Sequence, residues 1–314
     1  MNVLVLSAGR RVELIQLLKK ANGLRNKDAR IYAADANSLS PALYFADGYV
    51  LLPRVDQPNY LTELVNSIKT LKVDIVLPTI DTELPFLSSQ NKFIEANTNA
   101  SVIISSENTV TTFQNKITTH IELSKKGFRV PPVQMKPSLN FPIFAKPVQG
   151  SSSIGAQVIH SIEELRCLEN KYGEMILQDF IQGEEFTIDC LVDSKGRPLW
   201  VVPRKRLATR SGEILKGKVV KDNALENLCF ELINEFRFFG PVTIQVIRKD
   251  GLDYVIEINP RVGGGLPLSI YAGADILGSL IDMMNGKQLD YSNSYDGGRT
   301  FLRYDQTVEY LNHD

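Results

Sequence analysis

The stretch VIEINPRVGGG, residues 255 to 265, starts as a core strand and ends in three glycines. Val255, Ile256 and Ile258 belong to a buried core. Glu257, Asn259 and Arg261 alternate with them and share one strand face, with side chains two residues apart emerging about 6 to 7 Å from each other. Hard oxygen donors so arranged suit Mg²⁺, which keeps several waters and takes one or two protein carboxylates together with substrate phosphates. Gln245, in VTIQVI on the preceding strand, lies across a turn near 250 to 252. Antiparallel pairing of the two strands would bring its amide oxygen to Glu257. An exposed polar face of an edge hairpin would also explain the alternation. It leaves unexplained why Pro260 stops the strand just before Arg261 and a glycine triplet that lets backbone pass close to a ligand.

Upstream lies a second stretch of this kind. FPIFAKPV (141 to 148) reads as a strand ending in Lys146, and the loop QGSSSIGA (149 to 156) follows. An ammonium beside Gly150, Ser151, Ser152, Ser153 and Gly155 sits next to backbone N–H groups and hydroxyls able to surround phosphate oxygens. A flexible hairpin with a snorkelling lysine is the plainer alternative. It is not a Walker loop: Ala156 and Gln157 stand where Lys and Ser/Thr are required. GEILKGKV (212 to 219) has the GxxxxGK spacing but ends in Val219, without a hydroxyl for magnesium, and follows no apolar strand.

The N-terminal third has a different rhythm. NVLVLSA (2 to 8) reads as a buried strand, RRVELIQLLKKA (10 to 21) as a helix with apolar spacing, and ARIYAAD (29 to 35) as the next strand. A helix around 58 to 71, a strand at 74 to 81, a helix near 82 to 95 and ASVIISS (100 to 106) complete a small doubly wound parallel sheet. The first strand-to-helix turn, Ser7-Ala8-Gly9-Arg10-Arg11-Val12, carries one glycine where the dinucleotide fingerprint needs three, so an NAD-dependent oxidoreductase is the weakest alternative.

One helix is expected over 108 to 128, capped by Asn108 or Thr109, and Pro131-Pro132 mark a boundary. After FPIFAKPV come a strand at 157 to 160, a helix at 161 to 172, strands at 175 to 181, 184 to 193, 199 to 203 and 214 to 220, a helix at 222 to 237, and strands at 242 to 250 and 253 to 260. This half mixes sheet and helix as an α+β domain does.

Composition bounds the rest. The chain has 314 residues, 43% hydrophobic and 23% charged, enough for two or three globular domains. A net charge of −1 gives no basic field for nucleic acid or an anionic membrane surface. Arg204, Lys205, Arg206, Arg210, Lys216, Lys218 and Lys221 form a basic stretch without interleaved aromatics, read as a solvated face or as holders of an anionic substrate. Cys167, Cys190 and Cys229 contain no CxxC pair and read as structural thiols. His120, His160 and His313 are scattered and read as surface residues. The start MNVLVLSAGRR is unlike a signal peptide, and no apolar run approaches membrane length; a cytoplasmic protein is expected.

Taken in order, Lys146 before GSSSIGA, LQDFIQGEEFTID (177 to 189), Gln245 and Glu257-x-Asn259-Pro260-Arg261 resemble the ATP-grasp superfamily, closest to carbamoyl-phosphate-synthase-like members and other carboxylate-amine ligases. The resemblance spans nearly the whole chain and implies a fold: a doubly wound N-terminal α/β domain (1–106), a first ATP-grasp lobe with its leading helix (107–182), a second lobe (183–290) and a C-terminal tail (291–314). It implies roles as well. Lys116 and Lys146 would contact phosphates beside the Gly150–Ser153 loop. Gln178-Asp179-Phe180-Ile181 would form the hinge that meets adenine, with Gln178 standing where glutamate is common, and Glu185 would bind ribose. Gln245, Glu257 and Asn259 would hold Mg (or Mn), and Arg261 would stabilise the transferring phosphoryl group. The implied activity is an ATP-dependent, ADP-forming ligation in which a small carboxylate becomes an acyl phosphate and is captured by an amine or other nucleophile. A non-catalytic ATP-binding subunit or sensor is the alternative. The resemblance leaves open a homodimer or a subunit of a split synthetase.

Overall fold

A computed structural model describes residues 1–150, 154–210 and 212–310. The N-terminal domain contains β1 (Val3–Val5), α1 (Val12–Gly23), β2 (Ile31–Asp35), β3 (Gly48–Leu51), α2 (Tyr60–Leu71), β4 (Ile75–Leu77), α3 (Leu84–Thr98) and β5 (Ser101–Val102). Its five strands are parallel in the order β3-β2-β1-β4-β5, with the crossover at β1 characteristic of doubly wound sheets. Both faces of β1 and β4 are buried, which is why their sequences are unbroken apolar runs. The strand β3 and a short 3-10 turn at Pro41–Phe45 had no counterpart in the sequence reading. GYVL alternates only weakly, because β3 is an edge strand with Tyr49 and Leu51 exposed.

The expected long helix at 108 to 128 is two helices, α4 (Glu107–Gln114) and α5 (Lys116–Lys125). Neither Asn108 nor Thr109 is the cap; Ser106 accepts from the Thr109 amide at 3.2 Å. The break is at Asn115, whose backbone is extended and whose Oδ1 accepts from the amides of Ile117 and Thr118 at 2.9 and 3.0 Å. An internal Asn that stops one helix and caps the next is invisible to apolar periodicity.

The first lobe is a three-stranded antiparallel sheet, β7-β6-β8, formed by β6 (Ile143–Pro147), β7 (Gln157–Ile159) and β8 (Met175–Asp179), with α6 (Ile162–Tyr172) packed on it. Its small core is its own: Ile143, Ala145, Ile159, Leu165, Leu168, Met175 and Leu177.

The second lobe is a six-stranded antiparallel sheet in the order β13-β12-β9-β10-β11-β14. It comprises β9 (Glu184–Val192), β10 (Pro198–Arg210), β11 (Glu213–Val219), α7 (Asn223–Phe236), β12 (Gly240–Lys249), β13 (Leu252–Asn259), α8 (Leu266–Tyr271), α9 (Ile276–Met284) and β14 (Thr300–Leu302). The residues read as a tail therefore contribute β14, which pairs with β11. One face of the sheet packs on α7 with Phe113 and Leu123. The other shares a core with the N-terminal domain, where Val5, Ile15 and Leu18 meet Trp200, Leu277 and Leu280.

Among the described residues no helix is long and apolar enough to cross a membrane. Cys190 and Cys229 are buried free thiols, as expected of structural cysteines, while Cys167 is exposed.

Candidate active site

The strand that carries Glu257 and Asn259, β13, is an edge strand, yet its edge is covered. The Val255 amide donates to the Arg129 carbonyl at 2.9 Å, and Lys146 Nζ donates to the Ile256 carbonyl at 2.9 Å. The register against β12 pairs Gln245 with Glu257 and then Val246 with Val255, so Ile256 is an extra residue on β13. This bulge resets the alternation. Val255 and Ile258 enter the core, whereas Ile256 is half-buried beside the cleft and not part of the core, a correction to the simple alternating reading. Glu257 and Asn259 remain on the cleft side.

The cleft has a volume of about 740 Å³ and lies between α4–α5, the first lobe, β13 and the loop after β4. Lys116, Lys146, Gly150, Gln178, Glu257 and Asn259 all line it. Lys116 is the first residue of α5, so the Asn115 cap aims it; its Nζ donates to the Gly150 carbonyl at 2.9 Å. Lys146 projects from β6 and is buried; loss of hydration pushes its ammonium down to about 8, neighbouring Lys116 adds to the fall, and Glu257 opposes it. Lys116 is likewise depressed by burial, with Glu257 and Asp81 opposing.

Gln245 and Glu257 touch: Gln245 Nε2 donates to Glu257 Oε2 at 2.8 Å, while Arg206 Nη1 donates to Gln245 Oε1 at 3.0 Å. Glu257 and Asn259 thus present hard oxygens to the cleft. The amide oxygen of Gln245 faces Arg206 instead, and turning the amide would direct it to the same point. This donor set, one carboxylate and two amides, fits a divalent ion that shares its shell with phosphates.

On β8, Gln178 is buried and donates to the Pro131 carbonyl at 3.3 Å. Asp179 accepts from Gln134 Nε2 at 2.6 Å, and its amide donates to the Pro132 carbonyl. Ile181 is buried and Phe180 partly exposed just beyond β8. Glu185, near the start of β9, has its carboxylate 3.7 Å from Arg206 Nε and half in solvent. Ser151, Ser152 and Ser153 lie outside the described residues.

Arg261 does not line the cleft with the lysines. Its Nε and Nη2 donate to Asp81 at 2.8 and 2.6 Å, and Nη1 donates to the Val262 carbonyl, tying the end of β13 to the N-terminal domain. Close packing requires two of the three glycines that follow it. A Cβ at Gly263 would lie 2.5 Å from Thr243 Oγ1, and one at Gly265 would lie 2.6 Å from Arg204 Nη1; Gly264 faces open space. Arg204 itself is a buried strut, paired to Asp189 at 2.7 and 3.0 Å, so this member of the basic stretch is neither solvated nor free for a substrate.

Some residues of the site were missed. His120 was expected at the surface but lines the cleft, its Nδ1 buried without a partner and its imidazolium disfavoured by burial and by Lys146. It lies four residues after Lys116, the spacing of one helix face, which was the available signal. Asp81 follows the C-terminal end of β4, where doubly wound sheets place their sites. Arg206 was buried within the charge run.

Comparison with known proteins agrees with this architecture. Residues 3–103 match the PylC-like N-terminal domain, and residues 171–301 match the family described as ATP-grasp in the biosynthetic pathway with Ter operon. The chain therefore carries an ATP-grasp-family domain behind a PylC-like N-terminal domain. A D-alanine–D-alanine ligase of Fervidobacterium nodosum is 26% identical over 206 residues, covering 57% of this chain and 65% of that protein. This chain thus spans less than two thirds of that relative. Among solved structures, the biotin carboxylase–βγ-ATP complex of Campylobacter jejuni superposes with a TM-score of 0.74 at 16% identity, covering 95% of this chain and 74% of that one. An L-amino acid ligase from Bacillus licheniformis gives 0.71 at 18% identity, covering 95% and 78%. At these identities the structural matches establish the fold.

Proposed function

We propose that this protein is an ATP- and divalent-metal-dependent, ADP-forming ligase that joins a small carboxylate to an amine or other nucleophile. The observation that carries the reading is the convergence on one cleft of two desolvated lysines, from α5 and β6, with Glu257 and Asn259 from β13. Among the described residues neither lysine has a carboxylate in ion-pair distance, and of the two carboxylates that line the cleft Asp81 is already paired with Arg261, so the site asks for a polyanion, which a metal–nucleotide polyphosphate supplies. Lys116 and Lys146 would hold the phosphates, the backbone at Phe180 and Ile181 would meet the base because Asp179 is already engaged, and Glu185 would take the ribose.

Glu257 and Asn259, joined by Gln245 once its amide turns, would hold Mg or Mn; when bound, the ion neutralises charge on the transferring phosphate. The chemistry asked of the chain is positioning. A carboxylate oxygen of the acid bonds to the γ-phosphorus as the bond to ADP breaks, and the amine then bonds to the acyl carbon as phosphate leaves. Arg261, two residues beyond the end of β13, would stabilise the phosphoryl group once Asp81 releases it. A coupled ADP-release screen over paired acids and amines tests the reading. ADP release dependent on a specific pair supports it, and ATP binding with no stimulated release by any pair would leave a sensor instead.

A further inference from the structure

A second cleft, about 490 Å³, lies between the N-terminus of α1, the β10–β11 hairpin and the glycine triplet. Its wall includes Arg10, Arg11, Glu13, Glu213, Gly264 and Arg303. Most of these charges are already matched. Arg303 lies 3.6 Å from Glu13, and Arg10 lies 3.8 Å from Asp305. Two are not. Among the described residues, neither Arg11 nor Glu213 has an ion-pair partner.

Arg11 is the unusual one. Its Nη1 and Nη2 donate to the carbonyls of Ser7 and Thr79 at 3.2 and 3.0 Å, so the guanidinium is fixed by neutral acceptors, and its Nε is buried without a partner. Burial and nearby Arg261 depress it, with Glu213, Asp81 and Glu83 partly offsetting them. A rigid, desolvated guanidinium that no carboxylate among the described residues reaches at ion-pair distance is costly unless a ligand anion completes it. A second cation so close to Arg261 sharpens the demand. Glu213 is the opposite charge on the same cleft, exposed on the hairpin.

We infer that this second cleft is the chamber of the carboxylate substrate, and that the substrate is a zwitterion, an amino acid, whose carboxylate is received by Arg11 and whose ammonium is received by Glu213. The inference rests on the ligase reading above and adds the substrate class to it. Arg11 here positions the acid's carboxylate next to Arg261, where a phosphoryl group would arrive. Gly264 forms the floor, because the space above it is open and its backbone lies outside the left-handed region, so a larger residue fits the chain but fills the chamber.

The test is binding and ADP release with Mg·ATP, using L- and D-alanine, lysine and glutamate against their desamino counterparts propionate, 6-aminohexanoate and glutarate. The wild type should prefer α-amino acids by at least tenfold in KM. Arg11→Met should raise KM for every acid by about 100-fold or more, with the Kd of ATP unchanged. Glu213→Gln should bring the KM values of each amino acid and its desamino counterpart to within about twofold of each other. Gly264→Val should block acids without altering Tm or ATP affinity, so a folding failure at Arg11 leaves the proposal exposed to this second variant. Equal use of amino and desamino acids by the wild type, or unchanged KM in Gly264→Val, overturns the inference. A wild type that does not bind Mg·ATP at all fails the ligase reading itself, a different result from ATP binding with no acid selectivity.

Discussion

At the scale of single residues, Glu257 and Lys146 carry the most distinctive demands. Glu257 is the one formal carboxylate of the donor set, so Glu257→Gln should cut ADP release by about 100-fold or more, the size expected when a metal ligand loses its charge. Because Gln245 can still hydrogen-bond to the replacement, the melting temperature should stay within about 2 °C, checked by differential scanning fluorimetry. Lys146 predicts opposite pH trends for binding and stability. Its folded value of about 8 lies below the ordinary lysine value of 10.5. Below pH 8 the side chain is charged in folded and unfolded chains alike, and the cost of burying that charge is fully present. Between about 8 and 10.5 the unfolded chain holds more protons, so this group's contribution to stability rises with pH. Nucleotide affinity should go the other way: the cation that faces Glu257, Lys116 and His120 is lost above pH 8, and the Kd of Mg·ATP should rise about tenfold from pH 7 to pH 9 by titration calorimetry. Lys146→Met should flatten that rise.

At the scale of elements, the helix break at Asn115 aims Lys116. Asn115→Ala removes the one Oδ1 that accepts two capping hydrogen bonds at the start of α5 and should cost about 1 kcal/mol of stability. It should also weaken Mg·ATP binding several-fold, because the first turn of α5 frays where Lys116 begins; denaturant unfolding and calorimetry measure the two effects. The same break shows where sequence reading stops. The pairing of Gln245 with Glu257 followed from two apolar runs and a Gly251 turn, and the register matches. The bulge at Ile256 did not follow, since a single inserted residue leaves the apolar content unchanged while reversing which side Ile256 faces. His120 was legible from its spacing to Lys116, but that requires knowing that Lys116 faces the cleft. The ion pair between Asp81 and Arg261, 180 residues apart, has no local signal at all.

At the scale of the molecule, the shared core of α1, α9 and the six-stranded sheet makes the N-terminal domain and second lobe one cooperative body, whereas β6–β8 have a small core of their own. Hydrogen exchange should show the first lobe opening at lower free energy than the rest. Mg·ATP at about 100 times its Kd should stabilise the protein by about 2.7 kcal/mol and slow exchange most in β6 and β8. Uniform protection across all three sheets would contradict that division. The doubly wound start and the order of motifs were visible in the sequence because apolar period and glycine position encode them. The C-terminal strap from β14, where Asp305 meets Arg210 at 2.7 Å, was not, since its contacts are made by isolated charges in a polar run.

The central claim is that a carboxylate is activated by the γ-phosphate. The most direct measurement supplies amino acids labelled with ¹⁸O in the carboxylate, together with an acceptor amine and Mg·ATP, and follows the released phosphate by ³¹P NMR. An acyl phosphate leaves one ¹⁸O from the acid in inorganic phosphate alongside ADP. Phosphate free of label, or AMP with pyrophosphate, would contradict the account.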